Sequence, residues 1–275
     1  MRETNAEYLQ IEKLYPFEGH PFKVVDNEEM DQLVESIRAQ GVLTPLIVRP
    51  LDNGEYEVIS GHRRLHACKK ATIATVPAII SEMDRDAAAI ALVDSNLHRE
   101  HILPSEKAFA YKLKMDAIKH QGLTCGQVGH KSRDVLSEEE SGRQVQRYIR
   151  LTHLIPEILQ MVDDGRISLT PAVEISYLTN REQRELLETM ECEDCTPSLS
   201  QAIQLKLLSQ SGNLDIYTIF DILTQRKPNQ QEKISFRTED VRKYFPKSYT
   251  PAQMQDVILR LLEGYQRQRQ RSQER

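Results

Sequence analysis

Leu46-Ile47-Val48-Arg49, then Asp52-Asn53-Gly54, then Tyr56-Glu57-Val58-Ile59, and directly after them Gly61-His62-Arg63-Arg64: this stretch spells two short strands, a turn between them and the opening of a helix. The β-branched and aromatic residues favour extended backbone, and Asp-Asn-Gly is a turn sequence. Glycine lets backbone N–H groups approach an anion closely, and a helix N-terminus adds partial positive charge. Two adjacent guanidiniums present planar, forked donors that suit phosphate oxygens. Surface ion pairing of Arg63 and Arg64 is the plainer reading, and four residues alone do not displace it.

The flanking sequence extends this into a small α+β unit over residues 1–121. Upstream, Glu28 to Gln40 carries Met30, Leu33, Val34 and Ile37 at three- and four-residue spacing, the signature of one helix face. Gly41 is the expected helix stop, and Thr44-Pro45 leads into the first strand. Downstream, the helix opened by the arginines runs to about Lys70, and Val76–Ile80 is a β-type run. Asp86–Leu97 and Ser105–Lys119 read as helices separated by Pro104.

Residues 122–225 contain no convincing strand and read as helical. Ser132 and Ser141 have the character of N-caps for two short helices. On the second, Val145, Tyr148, Ile149 and Thr152 follow an i, i+3, i+4, i+7 pattern and face inward, while Arg143, Gln146, Arg147 and Arg150 fall outward. No acidic residue interrupts Arg143 to His153. This is the pattern of a DNA-recognition helix. A solvated basic helix, balanced by Glu138-Glu139-Glu140, fits the spacing equally well. Further helices are expected at Pro156–Asp163, Thr170–Leu178, Arg181–Met190 and Ser198–Leu208.

A linker containing Lys227-Pro228-Asn229-Gln230-Gln231 precedes a third segment, 232–275. Ile234-Ser235-Phe236 is a candidate strand. Pro251 to Gln266 is a candidate helix whose stripe of Met254, Val257, Ile258, Leu261 and Leu262 needs a partner surface. Arginines from Arg267 to Arg275 make a basic tail suited to non-specific phosphate contact.

Composition narrows the function classes. The chain has 275 residues, 39% hydrophobic and 28% charged, with a net charge of −5. That balance argues against indiscriminate nucleic-acid binding and leaves local basic patches as the relevant question. No apolar run approaches the roughly 20 residues of a membrane span, and Met1 to Asn5 lacks a signal-peptide core, so a cytoplasmic protein is expected. Cys192 and Cys195 have CxxC spacing without a second ligand pair, and four free thiols are expected. His98 and His101 are an i, i+3 pair that would suit a metal-dependent enzyme only if a third ligand joined them; surface histidines are the simpler reading.

The order of these segments resembles the ParB/RepB/Spo-nought-J family of partition proteins. Three stretches carry the resemblance: Ser36 to Arg49, reading SIRAQGVLTPLIVR; Gly61 to Ala67, reading GHRRLHA; and Ala91 to Glu100, reading ALVDSNLHRE, followed by Pro104 and Glu106. The resemblance implies a small ParB/sulfiredoxin-like α+β N-terminal domain, an all-α helix-turn-helix domain and a C-terminal helical dimerisation segment. It implies CTP with a divalent cation, usually Mg²⁺, and a homodimer that closes into a sliding clamp on a palindromic, centromere-like DNA site. It also implies a ParA-type ATPase partner and nucleoid or plasmid association.

Transferred onto this chain, the resemblance gives Gly61, Arg63 and Arg64 to the phosphates, with His62 inside the same motif. Asn96 would serve the metal and triphosphate, Arg99 the same region, and the segment from Gly41 to Thr44 the base. Arg143, Gln144, Gln146, Arg147 and Arg150 would meet DNA. Two positions depart from the family pattern. His62 stands where an acidic residue is usual, and Ser95 stands where the family has the glutamate associated with metal use and hydrolysis. A serine is a poor general base at neutral pH, and Asp94 lies about 100° away around a helix. Nucleotide binding with weak CTP hydrolysis at most is therefore expected. A regulator or partition adaptor with a decayed nucleotide site is the alternative those departures suggest.

Overall fold

Leu46, Val48 and Val58 are fully buried because their strands lie inside a mixed sheet of five strands, ordered β1-β5-β3-β4-β2. The strands are β1 (Glu7–Gln10), β2 (Leu14–Pro16), β3 (Leu46–Pro50), β4 (Tyr56–Ser60) and β5 (Thr75–Ile80). The predicted hairpin is β3–β4, antiparallel; β5 lies parallel to β3, β1 antiparallel to β5, and β2 parallel to β4. This computed structural model describes residues 6–99, 101–120, 141–224, 242–246, 249–250, 253–254, 256–262 and 264–265.

Side chains alternate across a strand, so the adjacent residues Val58 and Ile59 enter different cores. Val58 joins Met30, Val34 and Ile37 of α1 (Glu28–Gln40) and Leu65 and Cys68 of α2 (His62–Lys70). Ile59 joins Ala88, Leu92 and Val93 of α3 (Arg85–Leu97) and Ala110 and Ala117 of α4 (Pro104–His120). Asn27 caps α1 by accepting the Met30 N–H at 3.0 Å, and Gly41 ends it at φ 74°.

The helices that follow are α5 (Gly142–Leu151), α6 (Pro156–Asp163), α7 (Leu169–Ile175), α8 (Asn180–Cys192), α9 (Leu199–Gln210) and α10 (Ile216–Thr224). Their shared core runs from Leu151 through Ile158, Ile175, Leu186 and Leu205 to Ile219. Reciprocal capping boxes start α8 (Thr179 with Glu182) and α9 (Ser198 with Gln201). Buried Gln183 donates to the carbonyls of His153 and Leu178 and accepts from the Ile155 N–H, tying the α5–α6 and α7–α8 turns together.

The chain divides into two compact units, Met1–Gln225 and Arg226–Arg275. Within the first, α4 serves two cores: Ala108 packs with the later helices, and Ala110 and Ala117 with α3. In the second unit, residues 256–262 are helical, and Leu261 and Leu262 of the predicted stripe are 67% and 57% exposed while Met254 is buried. The expected strand at Ile234–Phe236 and the Ser132 cap lie outside the described residues.

Two strands and one α-helix escaped the sequence reading. β1 and β2 are short edge strands with mostly exposed side chains and so carry no alternation. α10, reading IYTIFDILT, is rich in β-branched and aromatic residues that disfavour helices in isolation. Tertiary packing on α8 and α9 decides it.

One polar pair sits inside the sheet. Arg49 of β3 and Glu57 of β4 are cross-strand partners at 2.6 Å, with Glu57 only 6% exposed. Glu57 also accepts the Glu18 N–H at 3.0 Å, fixing the chain beyond β2. Truncating one partner leaves a desolvated charge, so Glu57→Ala should cost roughly 3 kcal/mol, read from urea unfolding midpoints. The double variant Arg49→Met/Glu57→Leu should recover much of that loss.

Candidate phosphate-binding site

Gly61 links β4 to α2 at φ 104°, a left-handed conformation that side chains disfavour. A Cβ there would also lie 3.0 Å from Leu46 Cγ and 3.1 Å from Arg64 Cζ. Both favour glycine, the backbone angle most, and the turn it makes delivers the first residues of α2 into a cavity of about 220 Å³. The walls are His20, Phe22, Lys23 and Val24 from the loop after β2, Ser60 to Arg64 from the β4–α2 junction, and Asn96 and Arg99 from the end of α3 and just beyond it. Four cations and no carboxylate line it. A larger cavity of about 640 Å³ shares Lys23, Arg63 and Arg99 and adds, among others, Glu29, His98, His101 and Glu106. A concave surface with converging guanidiniums and a helix N-terminus is chemically an anion site.

The arginines have different duties. Arg64 is half-buried, and its Nη1 donates to the carbonyls of Thr44 and Pro45, the latter at 2.7 Å. Burial pushes its pKa down. It therefore clamps the loop between α1 and β3 to the site; Gly41 and Thr44 line neither cavity. Arg63 pairs with exposed Glu29 at 3.2 Å and faces both cavities. Arg99 lies 6.0 Å from the Phe22 ring centroid.

From α3, Asn96 alone reaches the cavity. Its Nδ2 donates to the Leu92 carbonyl at 2.8 Å, which fixes the amide plane and leaves Oδ1 as the acceptor end. Ser95 does not line the cavity; its hydroxyl donates to the same carbonyl at 3.0 Å. Asp94 is committed to Lys114 of α4 at 2.6 Å. His98 and His101 reach the larger cavity, and among the described residues no group of three or more His, Cys, Asp or Glu could hold a metal ion.

His20 is the residue the sequence did not reveal. It lies in an irregular loop, His20-Pro21-Phe22-Lys23, where no periodicity marks it. Its ring lies 3.8 Å from that of His62, tilted by 43°. The Nε2 atoms of both are buried without a hydrogen-bond partner. Burial, with the Arg99 charge, pushes both pKa values down, His62 to about 3.

The wall of the cavity is tied to the helices behind it. The Lys23 N–H donates to Glu106 Oε1 at 2.7 Å, and the Leu103 N–H to Glu106 Oε2 at 3.1 Å. One residue away, Ser105 gives its N–H and its hydroxyl to Asp163 at the end of α6, at 2.9 and 2.6 Å.

On α5, Ser141 is the predicted N-cap, and Val145 faces inward as expected, joined by Leu151. Arg143 and Gln146 are exposed. Arg147 bonds Gln144 at 3.1 Å and Thr170 at 2.6 Å. Arg150 does not stand free on the outer face. It donates to Ser176 Oγ and O at 3.1 and 2.9 Å and stacks on Tyr177 at 4.0 Å, with Lys206 on that ring at the same distance. Tyr177 supplies an aromatic face that spacing on α5 alone does not reveal.

The half-buried histidines make stability depend on pH. Their folded pKa values lie below the unfolded value of about 6.5. Below that value the unfolded chain binds protons that the folded chain refuses, so stability falls with pH from about 6.5 toward the folded values. The urea midpoint should drop between neutral pH and pH of about 5, by at most about 1.4 kcal/mol per pH unit for each histidine. His62→Gln should flatten that slope whatever it does to stability at neutral pH.

Residues 1–97 match the ParB N-terminal domain. The nucleoid occlusion protein of Listeria monocytogenes serotype 4a (strain HCC23) is 31% identical over 183 residues, 66% of this chain and 60% of that protein. Stage 0 sporulation protein J of Bacillus subtilis (strain 168) is 32% identical over 187 residues, 68% of this chain and 63% of that protein. The chain thus spans less than two thirds of the length of either relative. A crystal structure of the C-terminally truncated chromosome-partitioning protein ParB from Caulobacter crescentus, complexed with CTP-gamma-S, is 25% identical, covering 64% of this chain and 93% of that one with a TM-score of 0.32. No helix among the described residues is long and apolar enough to cross a membrane. From its first strand to the end of α3 the molecule is a ParB N-terminal domain.

Proposed function

We propose that this protein is a dimeric DNA-binding clamp of chromosome or plasmid partition whose closure is governed by CTP. The carrying observation is the carboxylate-free cavity in which Gly61, His62, Arg63, Arg64, Asn96 and Arg99 meet, continuous in its lining with a larger cavity. Arg63, Arg99, Lys23 and the N–H groups opening α2 hold the phosphates. Arg64 acts through the Thr44–Pro45 loop, which it keeps beside the site for the base.

A Mg²⁺ ion fits this donor set as a passenger of the triphosphate. Mg²⁺ takes most of its oxygen ligands from phosphates and water, and Asn96 Oδ1 is the protein oxygen available to it. Bound there, it would neutralise phosphate charge. Ser95 and Asp94 are both engaged elsewhere, so neither serves as a general base at the cavity, and binding should outlast turnover.

Residues 1–121 then form the nucleotide domain, 122–225 the DNA-reading domain and 232–275 the dimerisation segment with its exposed Leu261 and Leu262. Arg143 and Gln146 are the exposed side chains placed to read guanine and adenine edges of a palindromic site. Gln144, Arg147 and Arg150 orient the helix or touch phosphates. The Lys23–Glu106–α4 connection gives the nucleotide a route to α6 and the DNA-reading helices. The family resemblance adds a ParA-type ATPase as partner and places the protein on the nucleoid or a plasmid.

Labelled CTP, ATP and GTP should separate in a binding assay, with CTP retained and little hydrolysed. Removing one charged donor, as in Arg63→Ala or Arg99→Ala, should weaken CTP binding by roughly tenfold to a hundredfold. Arg143→Ala should leave CTP affinity unchanged and cost about 1–3 kcal/mol in specific DNA binding. Binding of no nucleotide by folded protein would replace the clamp with a CTP-independent DNA adaptor.

A further inference from the structure

We propose that His20 and His62 form a proton-linked donor pair for the ligand of the smaller cavity: both imidazoles are neutral in the free protein, and the pair takes up one proton as a phosphate group arrives. The inference rests on the phosphate reading of that cavity and is independent of which base the ligand carries.

The geometry supplies the case. Two imidazoles lie 3.8 Å apart with both Nε2 atoms buried, unpartnered, and belonging to residues that line the cavity. Buried polar atoms without partners are rare and call for an explanation. The other end of each ring is occupied: His20 bonds the Phe22 backbone and His62 the Val58 backbone, each bond favouring the protonated ring. A bond with that effect is donated by the ring nitrogen, so Nδ1 carries the proton and neutral Nε2 presents a lone pair. A lone pair repels a phosphate oxygen. With Nδ1 holding the ring proton, only the imidazolium offers an Nε2–H to bond it.

The surrounding charges decide when that proton arrives. Facing the pair are Arg63 and Arg64 from α2, Lys23 from the loop after β2, and Arg99 from beyond α3; Ser60 and Asn96 are uncharged. With the cavity empty, burial first, then the Arg99 charge and, for His62, the neighbouring His20, hold the rings toward the neutral form. A polyphosphate reverses the sign of the local field and offers an acceptor, so one ring gains its proton while repulsion holds the second neutral. A free divalent cation would meet the same four cations with no carboxylate among the walls, so the pair suits an anion. His62 thus adds a donor conditional on the ligand.

The test uses the full chain with histidine labelled by ¹⁵N in its ring. Inorganic tripolyphosphate and CTP are added separately near neutral pH, and the imidazole nitrogens are read by NMR. The proposal expects one ring equivalent to move from neutral to imidazolium shifts with each ligand. It expects wild-type affinity to gain up to about tenfold per unit fall in pH relative to His20→Asn and His62→Asn. The variants are the reference because the terminal phosphate titrates in the same range. Binding of both ligands with the rings still neutral overturns the proposal and leaves the nucleotide reading intact. A shift with tripolyphosphate and no binding of CTP keeps the pair and removes the nucleotide. Binding of neither ligand overturns both. The wild-type spectra decide even if a variant fails to fold.

Discussion

The close approach at Gly61 is the constraint on which the site depends. A left-handed residue with Leu46 and an arginine guanidinium at its back lets β4 end and α2 begin within one residue. That compression places the Arg64 guanidinium under its own helix start, where it reaches the Thr44 and Pro45 carbonyls. The same turn sets His62 against His20 and leaves Arg63 facing open space. Strand, loop, helix start and cavity floor are therefore one mechanical unit.

Behind it, α4 is shared property. Its first turn receives the cavity wall through Glu106 and holds α6 through Ser105 and Asp163, while its middle packs toward both α3 and α5. A shift of the Lys23 loop that lengthened its bond to Glu106 would be felt at the N-terminus of α4, one residue from the bond to α6. Coupling between distant sites needs such an element with two arrangements; α4 is the element positioned to supply them.

Much of this was legible in the residues. The spacing of Met30, Val34 and Ile37, the Asp-Asn-Gly turn and the Gly-His-Arg-Arg helix start each announce local structure by chemistry that needs no tertiary context, and α1, the hairpin and α2 follow them. Six of the nine residues expected around the nucleotide meet in one cavity: Gly61, His62, Arg63, Arg64, Asn96 and Arg99. What stayed hidden depends on long-range contact. β1 and β2 become strands by pairing with β5 and β4, α10 becomes a helix by packing, and His20 enters the site from a loop that no pattern marks. Ser95 sits beside Asn96 in sequence yet turns its hydroxyl back onto the helix, a difference of rotamer and helical angle that letters do not carry.

Arg150 shows how one stacked side chain can limit the evolution of a binding surface. Anchored to Ser176 and layered on Tyr177, it fixes the C-terminal half of α5 against α7. Replacing it would disturb the seat of the helix before it altered any base contact. If α5 reads DNA, descendants of this protein can change operator preference at its exposed first turns, around Arg143 and Gln146, while its last turn stays the same. New specificity would then appear at those base pairs nearest the start of the helix, and the rest of the site would drift little between relatives that keep this arginine and tyrosine.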